Sequence, residues 1–358
     1  MADPMAIQDD SSTGTLYSAA ATHYLSPARR DAVKRNWEER FSQSIFARAA
    51  NEVGAMSPIE LRVIDIGSGT GDALRLLDGA LEVCPIPPVV EYLGLDVDPS
   101  MLDIARAAHR GRAGVGFLLA DVRDGVPARP AELYLSSGVP YSHLSRPELE
   151  SVLADVFRTI VKNRTRSVVV VDVLGRYSIE WAPHWAFDQW TYEMTFFHGD
   201  DRPPRAVMSF YSGKELAAVI AAAGQRSAVK PDKVEFFDRS ISVGRHTATG
   251  TFSSEVRPYR SLVNRLFQGD TTFDLDDLLF VVPRYDAPVD VGRFFTSFAS
   301  SWNASVRRCA DTERNTGKSA ELRICLAEDL RSLEFRSQRG LGVGHSLICL
   351  ISVDGRDG

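Results

Sequence analysis

The chain has few cysteines, and no two of them are closely spaced. Its 358 residues contain four, which are scattered: Cys84, Cys309, Cys325 and Cys349. Without a C-x-x-C pair, neither a structural zinc site nor an iron–sulfur cluster is supported, and radical chemistry that needs such a cluster is excluded. The seven histidines form no H-E-x-x-H motif and no close pair, so we expect no metal site.

Long apolar runs and an excess of basic charge are also missing. No run approaches the length of a membrane span, and the N-terminus lacks the charged start and apolar core of a signal peptide. The formal net charge is −6, and no cluster of Lys and Arg stands out, which argues against a nucleic-acid partner. We therefore expect a cytoplasmic globular protein with free thiols and with neither membrane nor nucleic acid as a partner.

One glycine-rich stretch organises the first half of the chain. The apolar run at residues 61–66 predicts a buried parallel strand, Gly67, Gly69 and Gly71 predict a tight turn, and residues 73–77 open a helix. Glycines let a ligand approach the backbone closely, and the first N–H groups of the helix are free to bind it. This corner therefore predicts a site for a polar ligand.

Three successive predicted strands each end in an acid. Asp65 closes the first strand, Asp96 the second and Asp121 the third. A carboxylate at the tip of the second strand can accept hydrogen bonds from both hydroxyls of a ribose. Asp98 is a rival for that function, but the sequence Asp98-Pro99-Ser100 is typical of a helix start. Three such acids in succession favour a cofactor pocket.

With the pattern D-x-G-x-G-x-G that starts at Asp65, the sequence resembles the class I S-adenosylmethionine-dependent methyltransferases over residues 60–248. The resemblance implies S-adenosyl-L-methionine as cofactor and S-adenosyl-L-homocysteine as product. It also implies that Asp65 lies near the ammonium group, Asp96 at the ribose and Asp121 at the adenine amine. The residues expected to bind the cofactor are Asp65, Gly67, Ser68, Gly69, Gly71, Asp96, Val97, Met101, Asp121, Val122 and Ser137.

The succession of strands and helices predicts an α/β fold. We expect a Rossmann-like, doubly wound sheet, and the resemblance implies a mixed sheet of seven strands whose last strand is antiparallel. The alternating runs at residues 233–237 and 240–246 predict the sixth and seventh strands, paired as a hairpin. The predicted divisions are a disordered tail (1–14), an N-terminal helical lid (15–58), the cofactor-binding domain (59–250) and a C-terminal α/β extension (251–358). The extension either completes the pocket or forms a homodimer.

An aromatic-rich insert is predicted at residues 175–211. Eight aromatic residues lie within the twenty-one residues from Tyr177 to Phe197, against 9% in the whole chain. The insert is either a lid over the substrate or an apolar face packed on the domain, and both can hold. Trp37, ahead of the first strand, is expected in the core. Polar residues with a weaker indication of ligand contact are Tyr17, His23, Tyr24, Arg202 and Arg205.

Methyl transfer from a sulfonium is an in-line displacement, so positioning in a dry pocket supplies most of the catalysis and a general base is optional. His143, after the fourth strand, is the first candidate base, followed by His184 of the insert and then His198. Tyr141 and Glu180 are candidates for orienting the acceptor.

Three hypotheses stay open. The first is a methyltransferase acting on a small-molecule N, O or C nucleophile, such as a specialised metabolite or an amino-acid-like acceptor. The second is a fold relative that transfers or cyclises the aminoalkyl arm of the same cofactor. The third is a non-catalytic cofactor-binding scaffold subunit.

Overall fold

The computed structural model of the chain describes residues 30–54, 60–82, 89–193, 205–244 and 251–356. Several predictions lie outside these ranges. They concern the N-terminal tail, Tyr17, His23, Tyr24, Cys84, His198 and Arg202.

The first described helix covers one face of the sheet. A π-helical turn, Lys34–Glu38, runs into helix α1, Glu39–Gly54. Apolar residues recur at helical spacing along this segment, and Val33, Trp37, Phe41 and Ile45 are all buried. Trp37 is fully buried in the core, as expected, and its indole N–H donates a hydrogen bond of 2.7 Å to Glu334.

The parallel half of the sheet consists of alternating strands and helices. Its order in space is β3-β2-β1-β4-β5, and every neighbouring pair is parallel, which is the doubly wound arrangement expected from the sequence. The carboxyl ends of these strands therefore meet at one edge. The elements are β1 (Glu60–Ile66), α2 (Asp72–Leu81), β2 (Val89–Asp96), α3 (Pro99–Ala108), β3 (Val115–Leu119), β4 (Leu133–Leu135), α4 (Arg146–Lys162) and β5 (Arg166–Gly175).

The antiparallel strand of the sheet comes from the C-terminus. After β5 the chain forms β6 (Gln189–Glu193), β7 (Arg205–Tyr211), α5 (Gly213–Ser227) and β8 (Lys233–Arg239). A last strand, β9 (Ser346–Asp354), then lies between β5 and β8 and is antiparallel to both. Strands β1 to β5, β8 and β9 thus form the predicted mixed seven-stranded sheet. The hairpin β6–β7 adds two strands at the end of β5.

The prediction of residues 240–246 as the closing strand is wrong over residues 240–244, which the structure describes. Ser240 has φ of +60°, which ends β8, and the N–H groups of Ile241 and Ser242 each donate a hydrogen bond of 3.0 Å to the buried carboxylate of Glu334. Their hydrogen bonds therefore go to a side chain and not to a neighbouring strand. Because β9 completes the sheet, the predicted boundary at residue 250 does not separate the sheet from the C-terminal part of the chain.

Three helices between residues 251 and 345 pack against the aromatic-rich insert: α6 (Tyr259–Phe267), α7 (Val289–Thr316) and α8 (Ala320–Arg336). Trp181 and Trp185 are 0% and 4% exposed, and the Trp185 ring stacks on Phe295 of α7 with ring centroids 5.7 Å apart. These insert aromatics thus belong to the core. Within the part of the chain that the structure describes, no helix is long and apolar enough to span a bilayer.

Candidate cofactor-binding and active site

A cavity of about 210 Å³ lies where the carboxyl ends of β1 to β4 meet. Its walls are the loops that come after these four strands, so residues distant in sequence converge on it. This edge is where open α/β sheets bind ligands. The predicted cofactor-binding residues that line it are Gly67, Ser68, Gly69, Asp96, Val97, Met101, Asp121, Val122 and Ser137, and the candidate catalytic residues that line it are Tyr141 and His143.

The glycine loop needs glycine for two different reasons. Gly67 and Gly69 have φ of +69° and +51°, the left-handed region that favours glycine. A Cβ at Gly67 would collide with the Pro140 ring, whereas a Cβ at Gly69 would meet no atom within 4 Å because that side opens on the cavity. Gly71, also predicted to bind the cofactor, does not line the cavity. It caps α2, and its N–H donates to the Ser68 carbonyl at 2.9 Å.

Asp96 is held at the cavity wall by the backbone. Its two carboxylate oxygens accept one N–H each, from Gly69 at 2.8 Å and from Asp98 at 2.9 Å. Burial raises the pKa of this carboxyl above its ordinary value. The side chain of Asp98 instead caps α3 by accepting from Ser100 and Met101, so the two acids have different functions.

Asp65 lies behind the glycine loop and not in the cavity wall. Its side chain is fully buried, and Oδ2 accepts a hydrogen bond from the Tyr92 hydroxyl. Burial raises the pKa of Asp65 to about 7, and the nearby charge of Asp96 acts in the same direction. The other oxygen, Oδ1, has no hydrogen-bond partner among the described residues. A buried carboxylate oxygen without a partner is costly unless a bound cation or donor satisfies it.

Two further buried polar atoms near the glycine loop have no hydrogen-bond partner in the described chain: Ser68 Oγ and the Tyr141 hydroxyl. Burial raises the pKa of Tyr141, and the charge of Asp65 raises it further, which indicates that the two side chains are close. An acceptor at Asp65 and hydroxyl groups at Ser68 and Tyr141 match an ammonium and a carboxylate, respectively. These residues therefore fit the amino-acid end of S-adenosylmethionine.

Asp121 also lines the cavity and is already paired. Its carboxylate accepts from the Arg123 backbone N–H at 2.9 Å and pairs with the Arg123 guanidinium at 2.6 Å. The guanidinium holds the pKa of Asp121 below its ordinary value. Arg123 also lines the cavity. An adenine amine can reach this acid only on the side that Arg123 leaves open.

The loop after β4 is fixed by Asp172 of β5. Gly138 N–H donates to Asp172 Oδ2 at 2.9 Å, and Arg239 Nη2 donates to the same oxygen at 3.0 Å. The next residue, Val139, has φ of +66°, which a β-branched residue rarely adopts. The charged bridge from Arg239 through Asp172 therefore holds a strained turn at the cavity wall.

The two candidate histidine bases that the structure describes differ in position. His143 lines the cavity, and burial lowers its pKa to about 4, so it is neutral at pH 7 but weakly basic. His184 does not line the cavity and stacks on Trp190 with ring centroids 4.5 Å apart. Glu180, a candidate for orienting the acceptor, is fully buried and pairs with His345 Nδ1. Of the three, the structure brings only His143 to the cavity.

The described part of the aromatic insert, residues 175–193 and 205–211, does not line the cavity. None of the described residues that line it falls within residues 175–211. Trp181 and Trp185 donate their indole N–H groups to backbone carbonyls nearby, which fixes them in the core. The insert was expected to be a substrate lid, an apolar face packed on the domain, or both. Trp181 and Trp185 are packed in the core. Arg205, in β7, pairs with Glu193.

Three residues in or beside the site were not predicted from the sequence: Tyr92, Arg123 and Asp172. Tyr92 lies four residues before the end of β2, and the parallel register of β1 and β2 places it beside β1. Aligning the two predicted strands in that register could have indicated that Tyr92 is close to Asp65. Arg123 comes two residues after Asp121, a spacing suited to a local ion pair. Asp172 occupies an otherwise apolar strand, where a buried acid signals a specific partner.

Comparison with known proteins supports the same identification. Residues 63–163 match the family model described as a methyltransferase domain. This match confirms the resemblance to methyltransferases over these residues. No curated protein matches the chain.

Several solved structures are similar to the chain. Streptomyces venezuelae DesVI is 18% identical, with 60% of this chain and 90% of that chain covered and a TM-score of 0.37. An S-adenosylmethionine-dependent methyltransferase from Mesorhizobium loti is 17% identical, with 52% and 82% covered and a TM-score of 0.37. CalS10, an amino pentose methyltransferase from Micromonospora echinaspora, is 16% identical, with 68% and 97% covered and a TM-score of 0.38.

Proposed function

We propose that this chain, whose residues 63–163 match the methyltransferase domain, is an S-adenosylmethionine-dependent enzyme that methylates an N, O or C nucleophile of a small molecule. The observation that carries the proposal is the convergence on one cavity of an open glycine loop, a backbone-anchored acid and buried polar atoms without partners. Gly69 belongs to the open glycine loop, and Asp96 is the acid held by the backbone. Ser68 and Tyr141 carry the buried polar atoms that have no partner among the described residues.

The cofactor would be bound along the length of the cavity. Each carboxylate oxygen of Asp96 already accepts one hydrogen bond from a backbone N–H and can accept a second. The two oxygens would therefore accept hydrogen bonds from the ribose hydroxyls. Asp65, Ser68 and Tyr141 would hold the amino-acid end. Asp121 would face the adenine. When bound, S-adenosylmethionine supplies an electrophilic methyl group on a sulfonium.

The protein would contribute mainly position and exclusion of water. The loop of residues 137–143 comes after β4 and borders the cavity, and the Asp172 bridge holds its backbone in place. A fixed wall can keep an acceptor in line with the methyl group, which is worth several orders of magnitude in rate without any proton transfer. His143 is neutral at pH 7, so it can accept a proton. The acidity of an acceptor rises as the acceptor is methylated, and His143 can then take its proton. The lowered pKa of His143 makes it a weak base.

The experiment is incubation of the full chain with S-adenosylmethionine and a panel of amines, phenols and amino sugars, followed by mass spectrometry. Methyl transfer predicts S-adenosylhomocysteine together with an acceptor that gains the mass of one methyl group. Transfer of the aminoalkyl arm would instead yield methylthioadenosine. Tight cofactor binding with no product from any acceptor would favour a scaffold subunit. A Gly69→Arg variant is the inactive control.

Two predictions about the setting of the protein stay untested. A homodimer through residues 251–358 is one, and sedimentation of the full chain at several concentrations tests it. A cytoplasmic location is the other.

A further inference from the structure

A second cavity, of about 470 Å³, lies far along the chain from the cofactor cavity. One wall is a stripe of α7 between Asp290 and Ser301, where residues three and four apart share a face. The other wall is the segment 336–341 that links α8 to β9. No described residue lines both cavities, so the two sites are separate. We refer to this second cavity as the arginine groove.

Three guanidinium groups line the arginine groove. Arg293 comes from α7, and Arg336 and Arg339 from the facing segment, and all three side chains are exposed. Among the described residues none of the three has a carboxylate or hydrogen-bond partner. The described lining contains one carboxylate, Asp290, and Lys214 binds it at 3.0 Å. Three like charges around one concavity repel one another, and an anion would relieve that repulsion.

The floor of the arginine groove is apolar. Phe294 and Phe298 of α7 are 9% and 3% exposed, and Leu341 of the facing wall also lines the groove. Ser297 and Ser301 stand on the same stripe of α7 and offer hydroxyl groups beside the guanidinium groups. A site with cationic and hydroxyl donors at its rim and aromatic carbon at its base is matched to a molecule with an anionic head and an apolar body.

The wall that carries two of the arginines is rigid. The buried carboxylate of Asp238 accepts the N–H groups of Leu341, Gly342 and Val343 at 3.0, 2.7 and 2.9 Å. Gln338 bonds to both backbone groups of Asp238, at 2.7 and 3.0 Å. Because this wall is fixed, the groove is formed before any ligand arrives, and binding does not have to order it.

From these observations we infer that the arginine groove is a second ligand site, which binds a small organic anion with a phosphate or carboxylate head on an apolar group. The inference goes beyond the proposed methyl transfer. It neither requires that activity nor uses any residue assigned to it.

The test is calorimetric titration of the full chain with phenyl phosphate, inorganic phosphate, benzoate and uncharged benzamide. We expect phenyl phosphate or benzoate to bind in a single-site mode. Inorganic phosphate should bind more weakly because it leaves the floor uncovered, and benzamide should not bind. Saturation with S-adenosylhomocysteine should leave the affinity unchanged, because the two cavities share no described residue. Added salt should weaken binding, since the guanidinium groups are exposed.

The variants are Arg293→Gln and Arg339→Gln, with Arg307→Gln as the matched control. Arg307 is also exposed on α7, but it does not line the groove. Each groove variant should weaken binding of the anion about tenfold, which corresponds to about 1.4 kcal/mol. The dissociation constant of the control variant should stay within about twofold of that of the unmodified chain, because Arg307→Gln removes one positive charge outside the groove.

Two results would overturn the inference. One is the absence of binding by either organic anion at millimolar concentration. The other is an equal loss of affinity in the Arg307 control and in the groove variants, since a general attraction of anions to positive charge would explain both. All three arginines are exposed, so folding of the variants is expected, and a circular dichroism spectrum for each variant verifies it.

Discussion

Replacing Asp96 by alanine is the substitution for which the structure gives the clearest expectation. The carboxylate is fixed by the N–H groups of Gly69 and Asp98, so it meets a ribose without having to be reoriented. Loss of a charged acceptor costs about 1.5–3 kcal/mol of binding free energy, or roughly 13-fold to 160-fold in dissociation constant. The variant also frees the Gly69 N–H, which places the expected loss toward the upper end of that range.

The assay is isothermal titration with S-adenosylhomocysteine, and Asp98→Ala is the matched control. Asp98 is two residues away and is also an aspartate, but its side chain caps α3 by accepting from the Ser100 N–H at 2.9 Å. Removing that cap should lower the free energy of unfolding by about 1 kcal/mol and leave affinity nearly unchanged. An unchanged dissociation constant for Asp96→Ala, or a loss of affinity as large for Asp98→Ala, would refute the assignment of the ribose contact to Asp96.

Three further predictions concern other residues. Gly69→Arg should abolish cofactor binding and leave the chain folded, because its side chain enters open cavity; calorimetry and circular dichroism check this. Asp65 has a pKa of about 7 and attracts an ammonium only when ionised, so affinity for S-adenosylhomocysteine should rise roughly tenfold from about pH 6 to about pH 8. Asp65→Asn should flatten that dependence in titrations across the range. Glu334→Ala should lower the free energy of unfolding by at least about 3 kcal/mol, because it leaves several buried donors without an acceptor. Trp37→Phe should lower it by about 1 kcal/mol, and urea unfolding measures both changes.

The parallel half of the fold could be predicted because each of its signals is local. The strand from Glu60 to Ile66 has four apolar residues out of seven and leads at once into the glycines. The sequence Asp98-Pro99-Ser100 forms the helix start that it indicates. Such patterns depend on neighbours in the chain. They require no knowledge of the distant partners of a strand.

The closing strand could not be predicted in the same way. Residues 240–246 alternate like a strand and come directly after β8, so a hairpin is the local interpretation. The structure instead brings β9 in from the C-terminus and pairs it with β5 and β8. What decides between the two is the carboxylate of Glu334, which takes the N–H groups of Ile241 and Ser242. A contact across more than ninety residues leaves no trace in a local pattern.

The candidate site shows the same division. Gly67, Gly69 and Asp96 were predicted from spacing and converge on the cavity. The function of Asp172 was not predicted, because it depends on which loop passes above β5. His184 was a candidate because the insert comes after β5, but its ring stacks on Trp190. The aromatic composition alone cannot tell a lid from a core, since both exclude water.

We expect the cavity at the ends of β1 to β4 to hold one adenosyl-sulfonium molecule. A crystal structure of the full chain grown with S-adenosylhomocysteine tests this. We expect density with the ribose hydroxyls on Asp96 and the amino-acid end beside Gly67, Ser68 and Tyr141. Density for the nucleoside elsewhere, or a cavity that takes up a nicotinamide or flavin nucleotide in its place, would rule out this assignment.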